Sequence, residues 1–106
     1  MEGDDQVKEL ARLFKAFSYE TRLRLLKLLA DQGPEGALCV GALALKLGVS
    51  QSAVSQHLAI LRAAGLVIDE RRGYFVHYRL NRARLSQWRD QVRATLGEEF
   101  AQTLVG

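Results

Sequence analysis

Two short amphipathic helices separated by a glycine-containing turn constrain the fold of this chain more than any other feature. Hydrophobic side chains recur at helical spacing on both sides of Gly48, and the turn between the two patterns is only three residues long. Helices joined by so short a turn must cross closely, and Ala44 supplies the small side chain that a close crossing needs. The segment from about residue 40 to residue 64 is therefore predicted to form a helix-turn-helix, with Val49 and Val54 filling the angle between its helices.

The spacing of apolar residues changes directly after this segment. Residues 66–80 contain two β-rich runs around a charged tip that includes Gly73, which is typical of a β-hairpin. Arg71 and Arg72 fall at that predicted tip. A hairpin that follows a helix-turn-helix is a wing, so the predicted fold class is mainly α-helical with a small β-hairpin wing, a winged helix-turn-helix.

Helical patterns also flank these two motifs. Apolar positions predict a first helix over about 5–17, a second over about 19–31 and a last one over about 82–104, which is weakened at Gly97. The predicted order is four helices, the hairpin and a fifth helix. A chain of 106 residues has room for one such domain, so residues 1–106 are predicted to be a single domain.

The second predicted helix is rich in leucine. Its leucines cover most of the circumference and leave one narrow polar strip, so this helix is expected at the centre of the core. Arg22 falls outside that strip. Its charge is therefore expected to pair with a carboxylate or with a phosphate.

Charge is distributed unevenly along the chain. The formal net charge is +3, but residues 46–93 carry nine basic and three acidic side chains, whereas residues 1–35 carry six basic and seven acidic ones. A basic half of this kind is typical of a surface that binds a polyanion such as nucleic acid. It also occurs by chance in many soluble proteins, so charge alone does not assign a partner.

The second helix of the helix-turn-helix has a polar outer side without acidic groups. No acidic residue lies between Gly48 and Ile68. Glutamine can read adenine with two hydrogen bonds, and serine can bond to a base edge or a phosphate, so this side suits the major groove of DNA. Arg71 and Arg72 would then reach a neighbouring minor groove or its phosphates. The side chains predicted to point outward from this helix are Gln51, Ser52, Ser55, Gln56, Ala59 and Ala63.

A family resemblance extends over most of the chain. The runs at residues 17–26, 38–43 and 50–67, together with the wing segment 72–80, resemble the arsenic-repressor (ArsR-type) family of bacterial winged-helix regulators. The resemblance implies a homodimeric transcriptional repressor whose first and last helices form the dimer interface. It also implies DNA contacts at the positions occupied here by Ser52, Ser55, Gln56 and His57.

Two sets of site residues are predicted. They rest on the outward side of the second helix of the helix-turn-helix, on the wing and on the family resemblance. The residues predicted to bind DNA are Ser50, Gln51, Ser52, Ser55, Gln56, His57, Arg62, Arg71 and Arg72. The residues that the resemblance implies for the dimer interface are Val7, Leu10, Phe14, Leu85, Trp88, Val92 and Leu96. A second copy of the chain would cover these apolar stripes.

Cys39 is the only cysteine of the sequence. One metal site of the family uses two cysteines around the Leu-Cys-Val motif, and Gly41 stands here at the second position. The other family site uses histidine and carboxylate ligands on the last helix, which has no histidine here. Soft metals need several converging thiolates or imidazoles, so neither a metal site nor a cofactor is predicted. Cys39 is then either a small apolar side chain at a helix start or a redox-reactive thiol.

The function predicted from these features is that of a dimeric, sequence-specific repressor that binds an imperfect inverted repeat in double-stranded DNA. Its releasing signal stays open between a redox change at Cys39, a small apolar or anionic ligand near the dimer seam, and no signal beyond the level of the protein itself. The alternative class is a winged-helix protein-interaction module that does not bind DNA. An enzyme is not predicted, because the sequence offers no catalytic triad or dyad and no phosphate-binding glycine loop.

The chain is expected to be cytoplasmic, with no membrane partner. Arg22, Arg24 and Lys27 interrupt the richest leucine stretch, so no apolar run reaches the length of a membrane span. Three of the first five residues are acidic, where a signal peptide would be basic. A single cysteine forms no internal disulfide, so folding does not depend on an oxidising compartment.

Overall fold

The computed structural model describes residues 2–34 and 36–105. Within them the chain forms six helices and three strands: α1 Glu2–Phe17, α2 Glu20–Ala30, β1 Leu38–Cys39, α3 Val40–Leu47, α4 Gln51–Ala63, β2 Val67–Arg72, β3 Phe75–Leu80, α5 Arg82–Leu96 and α6 Glu98–Val105. The predicted fold class, mainly helical with a hairpin wing, is confirmed. Among the described helices, none combines the length and the apolar character that a bilayer crossing requires.

The hydrophobic core lies around α2. Leu25 and Leu29 of this helix are completely buried, and they belong to one cluster with Leu43 of α3 and Leu58 of α4. The expectation that the leucine-rich helix occupies the centre of the core is therefore confirmed. Both α3 and α4 pack against α2. The side of α4 that faces away from α2 is therefore exposed to solvent.

The turn between α3 and α4 forms as the sequence predicts. Gly48 adopts the left-handed conformation (φ 70°, ψ 31°), and its N–H donates to a carbonyl oxygen of the last turn of α3. Ser50 then caps α4, because its hydroxyl oxygen accepts the Ala53 N–H at 3.1 Å. Val54 is buried in the core, whereas Val49 is exposed, so the prediction that Val49 fills the angle between the helices is wrong.

The wing is a longer hairpin than the sequence pattern predicts. β2 and β3 pair antiparallel with Arg72 opposite Phe75, so that Gly73 and Tyr74 alone form the turn. Gly73 has a φ of +65°, as a two-residue hairpin turn requires. The charged residues 69–72, assigned to the tip by the sequence pattern, instead belong to β2. Because β2 is an edge strand, its charged side chains can stay in water while its backbone pairs with β3.

A short third strand, β1, is absent from the sequence prediction. Leu38 pairs with Tyr78 and Cys39 with His77, which makes β3 the central strand of the sheet. Two residues are too few to show an alternating pattern, so no periodic signal marks this strand. β1 continues directly into α3 and thereby attaches the base of the wing to the helix-turn-helix.

The terminal helices differ from their predicted bounds. α1 begins at Glu2 rather than near residue 5. The predicted last helix is broken rather than weakened at Gly97, whose φ of 99° and ψ of 159° end the helical conformation. α5 therefore ends at Leu96, and α6 begins at Glu98.

Arg22 is buried without a carboxylate partner. It is only 4% exposed, and its guanidinium carbon lies 4.1 Å from the centre of the Tyr19 ring. Its Nη2 donates to the Lys15 carbonyl oxygen at 3.4 Å. It forms no ion pair with the described carboxylates, so for these residues the predicted carboxylate pairing is wrong.

Candidate nucleic-acid interface

The solvent side of α4 is a strip of short polar and alanine side chains. Val54, Leu58 and Leu61 form the inner stripe of this helix and are completely buried. With about 3.6 residues per turn, the positions away from that stripe remain in water. The six predicted outward residues are all exposed: Gln51, Ser52, Ser55, Gln56, Ala59 and Ala63.

This strip can bond to several kinds of polar group without repelling an anion. Its hydroxyls and amides both donate and accept hydrogen bonds, and no carboxylate interrupts them along α4. Ala59 is small enough to let the helix approach a base edge or a thymine methyl group closely. The N-terminal end of α4 adds the partial positive charge of its free N–H groups. The strip therefore has the chemistry that readout of a major groove needs.

The N-terminal end of this strip is held in place by local contacts. The hydroxyl oxygen of Ser50 accepts a backbone N–H, which leaves its own proton free to donate. The amide nitrogen of Gln51 lies near Gly41 of α3, at 3.6 Å from where a Cβ at that glycine would stand. The Ser50 side chain is thus positioned by the helix cap, and the Gln51 side chain lies beside α3.

His57 does not share the surface of the outward strip. It is half-buried, and its ring centre lies 6.2 Å from the ring centre of Tyr19. Its Nδ1 is buried and has no hydrogen-bond partner among the described residues. The side chain therefore faces the start of α2 more than solvent, and its DNA contact stays a prediction.

Arg62 links α4 to the wing. Its Nε lies 3.4 Å from a carboxylate oxygen of Asp69 on β2, and both groups are partly exposed. An exposed pair of this kind contributes at most about 1 kcal/mol. Its charge is partly neutralised, so its predicted contact with DNA would compete with Asp69.

The two arginines predicted for the wing tip are in different electrostatic surroundings. Arg72 donates to Glu70 at 2.6 Å, and Arg79 lies 3.7 Å from the other oxygen of that carboxylate. The hydrogen bond from Arg72, reinforced by its charge and by Arg79, lowers the pKa of Glu70. Arg71 is exposed and forms no ion pair with the described residues. Arg71 is therefore the more available cation for a phosphate.

Two aromatic residues at the wing tip were missed by the sequence reading. Tyr74 is 95% exposed, and Phe75 beside it is exposed as well. Their exposure could have been predicted from the sequence, because aromatic side chains beside the glycine of a hairpin turn lie far from the hydrophobic core. They are the most projecting apolar groups of the wing, close to Arg71 and Arg72 in the chain.

The residues implied for the dimer interface divide into buried and exposed groups. Leu10 and Val92 are buried within the protomer, where Phe14 and Trp88 pack against them with ring centres 5.4 Å apart. Leu85 is partly buried against the main core. Val7 and Leu96 are 55% and 46% exposed and line an open groove of about 210 Å³ between α1 and α5. Phe100 of α6 is also exposed.

Cys39 is half-buried at the junction between β1 and α3. It occupies the N-cap position with an extended backbone, and its side chain makes no capping hydrogen bond. Within the described part of the chain, no three His, Cys, Asp or Glu side chains are grouped as metal ligands. The structure places His77 opposite Cys39 in the sheet, and whether the thiol is reactive stays a prediction.

Comparisons with known proteins match this arrangement of helix-turn-helix and wing. The model of the family described as "Bacterial regulatory protein, arsR family" matches residues 19–69. The arsenical resistance operon repressor of Escherichia coli (strain K12) is 46% identical over 70 residues, which cover 66% of this chain and 57% of that repressor. The chain thus spans little more than half the length of this curated relative.

Solved structures extend the likeness to nearly the whole chain. The ArsR-like transcriptional regulator from Rhodococcus sp. RHA1 superposes with a TM-score of 0.75 at 33% identity, covering 92% of this chain and 88% of that one. A homodimeric winged helix-turn-helix DNA-binding domain from Mycobacterium bovis, described as a possible ArsR-family transcriptional regulator, gives a TM-score of 0.67 at 31% identity. That match covers 83% of this chain and 80% of the other.

Proposed function

The chain belongs to the arsR family of bacterial regulatory proteins, and from this membership we propose that it is a dimeric, sequence-specific DNA-binding transcriptional repressor. It binds an imperfect inverted repeat in double-stranded DNA, with one α4 in each of two successive major grooves. A signal that does not act through the family's metal sites releases the protein from DNA. The observation that carries the proposal is the exposed, acid-free strip along α4.

Each part of the interface has its own role in this proposal. Gln51, Ser52, Ser55 and Gln56 read base edges, because their amides and hydroxyls offer directed hydrogen bonds. Ser50 and Arg71 contact phosphates, which fixes the register of the protein without reading sequence. Arg62 and Arg72 add to the phosphate contacts only when they leave Asp69 and Glu70.

Dimerisation is supported by the groove between α1 and α5. Val7 and Leu96 leave apolar surface exposed on both walls, and a second copy related by two-fold symmetry would cover it. The M. bovis neighbour is a homodimeric DNA-binding domain of the same fold. Two-fold symmetry of the protein requires an operator with the same symmetry, which is why an inverted repeat is proposed.

The test measures binding to a DNA duplex taken from the region upstream of the gene that encodes this chain. Binding is measured over a range of salt concentrations. The triple variant Gln51→Ala, Ser55→Ala, Gln56→Ala is expected to lose at least about 100-fold in affinity for that duplex. Its slope of log affinity against log salt should stay unchanged, because the phosphate contacts remain. Affinity for an unrelated duplex should also be unaffected.

A matched control uses the same residue types on another surface. The triple variant Ser86→Ala, Gln87→Ala, Gln102→Ala removes one exposed serine and two exposed glutamines from α5 and α6. It should bind the operator like the unmodified protein. Binding without sequence preference and without a salt slope in the unmodified protein would reject the repressor and favour the protein-interaction module.

The releasing signal has two candidates. Cys39 is half-buried beside the start of α3, so its oxidation would act at the helix-turn-helix. A small molecule needs a cavity near the same helices, and the structure contains one.

A further inference from the structure

A cavity of about 340 Å³ lies between the end of α1, the start of α2 and the end of α4. Its walls are mostly apolar: Ala16 comes from α1, Ile60 comes from α4, and Ala64 directly follows α4. Binding sites for small organic molecules have volumes upward of about 300 Å³ and are largely apolar with a few polar groups. The size and lining of this cavity therefore suit a compact organic ligand.

The polar group in this cavity is a buried cation whose charge no described residue balances. Arg22 lines the cavity, is 4% exposed and stacks on Tyr19. Its Nη2 has only a long bond of 3.4 Å to the Lys15 carbonyl oxygen, and its Nε is buried with no acceptor. A buried charge without a counter-ion is unfavourable, and an entering anion would remove that penalty.

The mouth of the cavity is also positively charged. Arg12 and Lys15 line it from α1, and both are exposed. Arg12 has Glu9 at 3.6 Å, whereas Lys15 forms no ion pair with the described residues. Among the described residues, no carboxylate lines the cavity itself. The local charge therefore favours an anion over a neutral or cationic ligand.

We propose that this cavity binds a small organic anion, with its carboxylate on the Arg22 guanidinium and its flat apolar body against Ile60, Ala63 and Ala64. The apolar wall distinguishes this ligand from a DNA phosphate, which is a hydrated group and would leave the wall exposed to water. An aromatic ring system would supply such a body, because Tyr19 and Ile60 also line the cavity and offer apolar surface.

The ligand would act on the proposed DNA-binding surface. Ala63 belongs both to the cavity wall and to the outward strip of α4. A bound anion adds negative charge and bulk at that end of the helix, so it is expected to weaken operator binding. This regulatory part rests on the proposed function, whereas the binding site itself does not.

The test of the site uses the full-length protein without DNA and 2-naphthoate as the probe. Methyl signals of Ile60, Ala63 and Ala64 are followed by NMR during titration. A ligand of this size is expected to bind with a dissociation constant between roughly 10 µM and 1 mM. The neutral amide of the same ring system, 2-naphthamide, should bind at least about tenfold more weakly, because it lacks the charge-assisted hydrogen bond.

Two pairs of variants locate the anion site. Arg22→Gln should abolish the preference for the acid over the amide, whereas Arg24→Gln, an exposed arginine on the same helix, should preserve it. Lys15→Gln should weaken naphthoate binding about two- to threefold, as expected for an exposed charge. Lys8→Gln on the same helix, which does not line the cavity, is its control. If Arg22→Gln does not fold, the acid-to-amide comparison and the Lys15 pair decide the question.

The proposal is overturned if naphthoate moves none of the three methyl signals, or if the amide binds as well as the acid. It is also overturned if folded Arg22→Gln keeps the preference for the acid. Loss of operator affinity and of salt dependence in Arg22→Gln, without any naphthoate binding to the unmodified protein, would identify Arg22 as a phosphate contact instead. Binding of naphthoate in a protein that binds no DNA would retain this site and reject the repressor function.

Discussion

Glu70 controls how much positive charge the wing offers. Its carboxylate accepts from Arg72 at 2.6 Å and lies 3.7 Å from Arg79, and these contacts lower its pKa below the ordinary value of 4.5. A lowered pKa in the folded state means that the contact is fully present above pH 4.5 and is lost as the pH falls through the lowered value. At neutral pH the carboxylate is therefore ionised and neutralises the charge of one arginine of the wing.

Replacing Glu70 is predicted to strengthen DNA binding. Glu70→Gln releases Arg72 for a phosphate, so affinity for DNA of any sequence should rise several-fold, and the salt slope should steepen by about one unit. Glu98→Gln is the matched control, since it also removes one carboxylate that pairs with an arginine at 2.6 Å, on the far side of Gly97. Binding titrations at several salt concentrations measure both effects. An unchanged slope in Glu70→Gln would mean that Arg72 does not reach the backbone.

At this scale the sequence predicts residue types better than residue partners. The exposed amides and hydroxyls of α4 were predictable, because helical spacing separates them from the buried stripe. The surroundings of His57, Arg22 and Arg72 were not, because each depends on a particular neighbour. These neighbours are Tyr19 for His57, Tyr19 and the Lys15 carbonyl oxygen for Arg22, and Glu70 for Arg72. Periodicity reports which side of an element a residue occupies, and it does not report which side chain lies opposite.

At the level of elements, Gly48 sets the angle between α3 and α4. Its left-handed conformation (φ 70°) is strained for any residue with a Cβ. Gly48→Ala is predicted to lower the free energy of unfolding by about 1 kcal/mol. Gly41→Ala, inside α3, should instead raise it by about 0.5 kcal/mol.

These two variants are compared by urea unfolding at one protein concentration. Apart from Gly48 itself and its two chain neighbours, no described residue has an atom within 4 Å of the added Cβ, so backbone strain is expected to account for the effect. The Cβ added at Gly41 meets Gln51 Nε2 at 3.6 Å, an ordinary contact. Equal effects of the two substitutions would show that the left-handed turn is not needed for this fold.

The elements that the sequence predicts are those with a long repeating pattern. The helix-turn-helix and the wing have apolar spacing and glycines at the required places, and they form as expected. The strand β1 and the break at Gly97 were not predicted, because each involves only one or two residues and leaves no repeating pattern. A two-residue strand contains no full alternation, and a single glycine weakens a helix without deciding whether the helix ends there.

At the level of the whole molecule, the exposed groove between α1 and α5 predicts the effect of new charges on assembly. Leu96→Glu and Val7→Glu each place a carboxylate on surface that the second copy would bury, so dimer dissociation constants should rise at least about 100-fold. Both residues are about half exposed in the protomer, which should therefore stay folded. Sedimentation equilibrium measures the dissociation constants.

The control for these variants is Leu45→Glu. Leu45 is the most exposed leucine among the large exposed hydrophobic residues described, at 84%, and it lies on α3, outside the groove. This variant should keep the dimer intact. If it dissociates as Leu96→Glu does, or if Leu96→Glu stays dimeric, the proposed interface between α1 and α5 is wrong.

The pairing between β1 and β3 has a consequence for the kind of DNA that the proposed repressor would bind. Since β1 passes straight into α3 while β3 forms half of the wing, this pairing is expected to restrict movement of the wing relative to the helices. In the proposed complex, α4 and the hairpin turn would then contact DNA at a nearly fixed separation. A duplex whose groove width does not match that separation would contact only one of these two elements. Local DNA shape would therefore be selected along with base sequence.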